Sequence, residues 1–490
     1  MSTLLVSDRR IGGTGLAHVV GQWRRPGPAY AALADAVRRA VLAGDLPLAT
    51  RVPGERELAA ALGVSRTTTS GAYGLLRDEG YLVSRQGSGT VTALPPGTPS
   101  GPRPGVPVHR PLDSGVVDLT IAACTPPRDL HGAARRAVDA LPAHGGHGYA
   151  PLGLDVLREA VADRYTARGV PTSPDQVLVT TGAQHAIALL MATHAGPGDR
   201  VVVEQPTYPH AIEAVRAAGA RPVPVPTGPD GVDLDLLEST VRQVAPRLVY
   251  LIPDHQNPTG GTLDAAGRAR VRDLARRTGT VVAGDEVLTD LTLEGPEPAP
   301  WAGDGTGARV VAIGSMSKSH WGGLRVGWLR GPADLVTRLA LARRSGDLGT
   351  AVLDQLVAVE LLRLGAGPLE ERRAHLRAGR DLLAGLLAER LPTWRFTVPV
   401  GGQCLWVDLG APVSSALSAL ALAHGVRVAP GPAFGVDGAL EDRIRLPFTA
   451  GEDALRRAVD GLALAWAALG APGRGTTALA AASALPSALV

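Results

Sequence analysis

The sequence predicts an α/β protein: a doubly wound, largely parallel sheet domain, preceded by a small winged helix-turn-helix and completed by a smaller α+β C-terminal lobe. Three observations predict it. Short apolar runs such as RVVVE (200–204), RLVYLI (247–252) and RVVAIGSM (309–316) alternate with helical stretches such as AAGRARVRDLARRTG (265–279). Continuous runs of this kind mark strands buried on both faces. Residues 28–92 carry two short helical patterns joined by a Gly-containing turn and followed by a hairpin pattern. Finally, 490 residues that are 45% hydrophobic and 19% charged exceed one compact core and exclude global disorder.

From the N-terminal end, PAYAALADAVRRAVLAG (28–44) reads as a helix with Pro28 near its start and Gly44 at its end. Leu33, Val37, Ala40 and Val41 share one face, and Arg38 and Arg39 lie on the other. RELAAALG (56–63) is a short helix stopped at Gly63, and Ser65 caps a third helix, RTTTSGAYGLLRDEG (66–80). YLVSRQGSGTVT (81–92) reads as the wing, turning around Gln86-Gly87-Ser88-Gly89. Residues 93–116 hold seven Pro and four Gly in 24 positions, a semi-rigid linker. Fully extended it spans roughly 75 Å. Residues 117–467 form the body, with further strands at QVLVT (176–180), RPVPV (221–225), TVVAGDEV (280–287) and LRVGWL (324–329). Beyond about 350, long helices and then WRFTV, QCLWVDL, VRVAP and RIRLPF give the smaller lobe; 468–490 reads as a frayed tail.

Charge is unevenly placed. Of 49 basic residues one is lysine, Lys318, and 48 are arginine. Residues 1–92 carry eleven Arg against seven Asp or Glu, a net of +4 within an overall +3, so the remainder carries −1. The positive excess points to a polyanionic partner at the N-terminal end. No run of 18 uncharged apolar residues or N-terminal apolar signal core occurs, which argues against membrane and secretion. Cys124 and Cys404, 280 residues apart, give no disulfide framework and no metal spacing. The chain reads as cytoplasmic.

A helix-turn-helix lays its second helix in the major groove of double-stranded DNA. Ser65, Arg66, Thr67, Thr68 and Thr69 stand where such contacts are made, as hydroxyls or a guanidinium able to serve bases and phosphates. Arg56 opens the preceding helix, and Arg85 with Gly87 and Gly89 reaches from the wing. A helical protein-docking module whose Ser/Thr run merely caps a helix is the competing reading. ERELAAALGVSRTT followed by EGYL and GSGT resembles the winged-helix domain of GntR-type bacterial regulators.

In the body, Lys318 follows a buried-type strand in GSMSKSHWGGLRVGW. A Schiff-base lysine needs an amine in a partly desolvated site, with hydroxyls and an arginine near for a phosphate. Ser315, Ser317 and Arg325 supply that setting, and a chain that has exchanged every other lysine for arginine retains this one. Asp285 ends a strand, where it can pair with a protonated pyridine nitrogen or be an ordinary strand-end carboxylate. Asn257 suits a phenolic oxygen or a turn before Pro258. Gly182 and Ala183 open a helix whose N–H groups suit phosphate, and Tyr208 offers a face for stacking or for loop packing.

In order, GYAPLGLDVLR (148–158), TTGAQ (180–184), PTYP (206–209), NPTG (257–260), DE (285–286), SMSK (315–318) and RIRLPF (443–448) resemble fold-type I aminotransferases over about 350 residues. The resemblance implies pyridoxal 5'-phosphate joined to Lys318, with Asp285 on the pyridine nitrogen and Asn257 on the phenolic oxygen. It implies Ser315, Ser317, Arg325 and the Gly182–Ala183 amides on the phosphate, Tyr208 stacked on the ring, and Arg445 on a ligand carboxylate. Tyr149 would reach the neighbouring subunit's site in a homodimer. Two positions depart from the pattern: Leu288 stands where a tyrosine is usual, and His320-Trp321-Gly322-Gly323 where Pro-Gly is usual. His185, His255 and His320 are given no role.

Winged helix, Pro-rich linker and aminotransferase-like body together resemble the MocR/GabR-like branch of GntR regulators. The resemblance implies a DNA-binding transcriptional regulator whose body senses an amine, an amino acid or pyridoxal phosphate itself. The alternative is a working aminotransferase carrying a DNA-binding arm.

Overall fold

A computed structural model describes residues 10–470, except 26, 44, 45, 47–49, 86–88, 94, 96–114, 145 and 304–308. The expected linker and tail therefore lie almost wholly outside the described residues, as does Gly87.

The head contains α1 (Gly13–Val20), α2 (Ala29–Ala43), α3 (Glu55–Leu62), α4 (Arg66–Asp78) and the antiparallel pair β1 (Leu82–Arg85) and β2 (Gly89–Thr92). Gly63 ends α3 in the left-handed region at φ +62°, where a side chain would strain the backbone. Ser65 then caps α4, its hydroxyl accepting the Thr68 N–H at 3.2 Å. Leu33, Val37, Leu58, Tyr73 and Leu76 fill the core. Helix α1 is not anticipated by the sequence reading. Its segment, GTGLAHVV, lacks a side-chain cap, and its first turn is held by the Glu57 carboxylate accepting the Gly13 N–H at 2.8 Å. Leu16, Val20 and Trp23 from this end are buried with the core of the other three helices. Arg38 is a correction: it is 6% exposed rather than on a solvent face, and its guanidinium donates to Glu79 (3.0 and 2.5 Å) and Asp35 (3.0 Å). Those partners offset the cost of burying its charge.

The body's strands are β3 (Val117–Asp118), β4 (Val177–Thr180), β5 (Arg200–Gln205), β6 (Arg221–Gly228), β7 (Gly231–Val232), β8 (Leu248–Leu251), β9 (Val281–Asp285), β10 (Val310–Ser315) and β11 (Gly327–Arg330). The lobe adds β12 (Cys404–Asp408), β13 (Val426–Arg427), β14 (Ala429–Pro430) and β15 (Arg443–Pro447). The main sheet has the order β4-β11-β10-β9-β8-β5-β6-β7. Strands β10, β9, β8, β5 and β6 pair in parallel, while β11 runs antiparallel to both β10 and β4. Strands β4, β9 and β10 are buried throughout, as their continuous apolar runs require. Helices such as Ala183–His194 and Ala265–Thr278 cover the sheet. The lobe packs Leu376, Leu383, Leu405, Ile444 and Trp466 around the sheet β12-β15-β14. WRFTV forms only the single bridge Arg395↔Asp408. Because β4, β9 and β10 point the same way, Thr180, Asp285 and Ser315 end at one edge of the sheet. Ligands of open α/β sheets bind outside that edge.

Candidate functional site

The register across three strands builds the first part of the site. Ser315 pairs with Gly327, and Gly327 with Thr180, so the loop after β4 sits beside the serines that end β10. Only glycine permits this approach: a Cβ on Gly327 would lie 2.7 Å from the Gly182 carbonyl carbon. Gly182, at φ +82°, precedes the helix Ala183–His194, whose first N–H groups have no partner within the helix. A Cβ on Gly182 would fall 2.6 Å from the Arg325 guanidinium, which donates to the Thr181 carbonyl at 3.0 Å. The Ser315 hydroxyl lies 2.9 Å from that of Ser317 and accepts the Ser317 N–H at 3.1 Å. Helix amides, two hydroxyls and a guanidinium thus form an anion cradle.

At the end of β9, both Asp285 carboxylate oxygens are engaged. Tyr250 Oη donates to Oδ2 at 2.7 Å and the Val287 N–H to Oδ1 at 3.1 Å. Burial raises the Asp285 pKa to about 6, opposed by those two donors and by Lys318. Burial also pushes the Tyr250 phenol well above its ordinary value, so it remains a donor. Tyr208, pushed up to about 12 mainly by burial, lies within electrostatic reach of Asp285, Arg325 and Arg445.

Lys318 follows β10, and its Nζ donates to the Ala122 carbonyl at 2.5 Å. Burial, joined by the nearby Arg445 charge, holds its pKa below the ordinary lysine value, which enlarges the neutral, nucleophilic fraction. Arg445 on β15 stacks over Phe434 at 4.8 Å, donates to Asn257 Oδ1 at 3.2 Å and to the Thr120 carbonyl, and keeps Nε buried without a partner. Trp406, paired with Arg445 across β12 and β15, meets Phe434 edge to face.

The structure therefore gathers Gly182, Ala183, Ser315, Ser317 and Arg325 at one end, and Asp285, Tyr208, Asn257, Lys318 and Arg445 around the rest. Such a set fits a phosphate-bearing pyridine aldehyde: cradle, ring-nitrogen acceptor, aromatic face and amine. Tyr149 is 62% exposed. Leu288 is buried in the lobe core and brings no hydroxyl. His255 and His320 are buried, both held down to about 4 by burial, and His185 accepts the Thr181 N–H. Among the described residues no cluster of three or more His, Cys, Asp or Glu suits a metal, and no helix is long and apolar enough to cross a membrane. Sequence reading missed Tyr250, hidden in the apolar run of β8, and Arg372, which donates to the carbonyls of Thr125 (2.7 Å) and His320 (2.6 Å). It also missed the bond from Gln403, beside Cys404, to the distant Cys124 Sγ at 3.7 Å.

In the head, Arg56, Ser65, Arg66 and Thr67 are exposed and Thr68 is half-buried at the start of α4. Thr69 corrects the sequence reading. It is fully buried, its hydroxyl 2.9 Å from the Glu55 carbonyl and 3.0 Å from that of Arg66, so it fastens α4 to α3 instead of facing a groove. Gly89 lies under a guanidinium missed from sequence, Arg51, whose Nε would be 2.7 Å from a Cβ there.

Residues 114–462 match the aminotransferase class I and II family, and residues 29–91 match the bacterial regulatory proteins of the gntR family. YisV, an uncharacterized HTH-type transcriptional regulator of Bacillus subtilis, is 29% identical and covers 86% of this chain and 92% of its own. MocR of Rhizobium meliloti, a probable rhizopine catabolism regulatory protein, is 31% identical over 63% of this chain and 66% of its own. LysN, an α-aminoadipate aminotransferase of Thermus thermophilus solved with N-(5'-phosphopyridoxyl)-L-leucine, superposes with a TM-score of 0.68 at 30% identity, over 73% of this chain and 94% of that one.

Proposed function

Because this chain belongs to the class I and II aminotransferase family and carries a gntR-family DNA-binding head, we propose that it is a transcriptional regulator whose body holds pyridoxal 5'-phosphate and reads an amine or amino acid. The observation that carries this reading is the pairing of one retained lysine amine with the cradle around Gly182, joined in the same chain to a helix-turn-helix. When bound, pyridoxal phosphate supplies an aldehyde carbon that amines attack and a ring that takes up electron density.

The chain's own residues set what happens to it. Ser315, Ser317, Arg325 and the Ala183 amide would hold the phosphate; the Gly182 N–H, expected to join them, instead donates to the Thr180 carbonyl at 2.9 Å. Tyr208 would cover the ring, Asn257 would reach its phenolic oxygen, and Asp285 would accept the N–H of the protonated ring nitrogen. Lys318 presents its amine, and Arg445 draws a ligand carboxylate. Leu288 leaves the phenolic oxygen without the usual tyrosine donor, which favours sensing over fast turnover. The exposed Tyr149 supports a homodimer in which it meets the neighbour's site, and two heads then meet two half-sites. Ser65, Arg66, Thr67, Thr68 and Arg56 make the DNA contacts, with the wing at Arg85 and Gly89. A DNA-bound role fits a cytoplasmic protein.

The test is spectroscopic and enzymatic together. Purified protein with pyridoxal phosphate is titrated with amines and amino acids, and keto-acid formation is followed with an acceptor present. Spectral exchange that alters operator affinity, with no sustained turnover, is expected. Sustained turnover with unchanged DNA binding would instead make it an enzyme with a DNA-binding arm.

Tyr250 is a positioning residue for Asp285. Tyr250→Phe removes a hydrogen bond to a charged acceptor, which costs about 1.5–3 kcal/mol, or roughly ten- to hundredfold in cofactor affinity. Asp285 accepts from a ring N–H only when ionised, so wild-type retention should weaken as pH falls through about 6. Removing a donor that lowers this pKa moves the fall-off to higher pH. Dissociation constants measured across pH 5–8 check this; identical profiles would refute the role.

A further inference from the structure

Residues 10–12, which precede α1, run beside the wing. The Ile11 N–H donates to the Arg51 carbonyl at 3.0 Å, and Arg10 pairs with Arg51 in a parallel bridge. On its other side Arg51 pairs with Val91 of β2. The Val52 N–H donates to the Thr90 carbonyl there, and the Thr92 N–H to that of Thr50, both at 3.0 Å. From β1 outward the ladder therefore runs through β2 and residues 50–52 to Arg10 at its edge. The Glu57 carboxylate, accepting the Gly13 N–H at 2.8 Å, fixes this segment to α3.

Residues opposite one another on a ladder share a face, and like charges set there repel. Elsewhere in the head such charge is answered. Asp35 takes Arg25, Arg38 and Arg39, Glu79 takes Arg38, and Glu55 lies near Arg66 and Arg77. Arg10 and Arg51 are both exposed, and among the described residues neither has a carboxylate within ion-pair distance. The Arg51 guanidinium lies over Gly89 at the start of β2, where a Cβ would meet Nε at 2.7 Å and Cζ and Nη2 at 3.1 Å. Glycine thus leaves that guanidinium its seat on the wing.

We propose that Arg10 and Arg51 form a second DNA contact, closing on backbone phosphates beside the groove that the wing enters, outside the stretch that α4 reads. The inference rests on the reading that the head binds duplex DNA. A phosphate between two guanidiniums turns their repulsion into attraction, and each presents paired N–H donors to it. A side chain already seated over Gly89 loses little freedom on binding. Contact with the backbone adds affinity without reading sequence.

Binding of the full-length protein to a selected operator duplex and to a random duplex, followed by fluorescence anisotropy across roughly 50–200 mM salt, tests this. Arg10→Gln and Arg51→Gln should each lower the slope of log affinity against log salt by about one, and weaken binding roughly five- to tenfold at about 0.1 M salt. The loss should be equal on both duplexes, and the double variant should lose about two units of slope. Arg51→Lys, which keeps the charge, should keep the slope. Each variant is read at a temperature where circular dichroism shows it folded. A wild-type slope in either Gln variant overturns the proposal, and so does a loss confined to the operator, which marks a base contact. Wild type that binds neither duplex overturns the DNA-binding reading and this inference with it. Wild-type binding that Arg66→Ala weakens, with slopes unchanged in the Gln variants, overturns this inference alone.

Discussion

Lys318→Ala is expected to abolish covalent retention of pyridoxal phosphate, because it removes the only side-chain primary amine of the protein. Arginine elsewhere cannot substitute, since a guanidinium stays protonated and is no nucleophile. Borohydride reduction of saturated wild type followed by peptide mapping should place one pyridoxyl group on the peptide containing Lys318. The same treatment of the variant should label no side chain, and retention after dialysis should fall at least a hundredfold. The cradle at Gly182 and Arg325 remains, so weak, reversible binding of the phosphate end should survive. A label of equal yield elsewhere in the variant would refute the assignment.

The second large effect lies in the head. Arg66 is exposed at the first turn of α4, its Nε 3.9 Å from Glu55. Arg66→Ala should weaken binding to an operator selected from random duplexes by about 1–3 kcal/mol, roughly ten- to hundredfold. A phosphate contact would lower the salt slope by about one and leave sequence preference unchanged; a base contact would relax preference at one position. Thr69→Val separates contact from scaffold. It leaves the half-buried Glu55 carbonyl without its hydroxyl donor and should destabilise the head by about 1–3 kcal/mol. Affinity per folded molecule should stay unchanged. Fluorescence anisotropy and thermal melts on both variants distinguish the outcomes.

Much of this architecture is written locally in the chain. Strands buried on both faces need unbroken apolar runs, so β5, β9 and β10 stand where RVVVE, TVVAGDEV and RVVAIGSM announce them. The site motifs are legible for a related reason: each sits on the short stretch leaving a strand end, where sequence and position coincide. What depends on distant partners is not legible. Tyr250 reads as one more apolar strand residue until Asp285, 35 positions later, is seen to accept its hydroxyl. Arg372 reaches the lysine loop from a helix in the other lobe. Thr69 carries a local signal that its hydroxyl obscures: Ala72, Tyr73 and Leu76 are buried on the same helix, and positions three, four and seven before them share that face. Arg38 is obscured in the same way by its charge. Helix α1 is short and glycine-rich, and its hold comes from Glu57.

That first helix matters to anyone trimming the gene. A polypeptide begun at Ala29, where the recognisable homology starts, would discard Leu16, Val20 and Trp23 and uncover the greasy flank they shield. Such a fragment would clump or precipitate in the test tube, inviting the false belief that the head is unable to fold by itself. Beginning at Arg10 keeps the lid on.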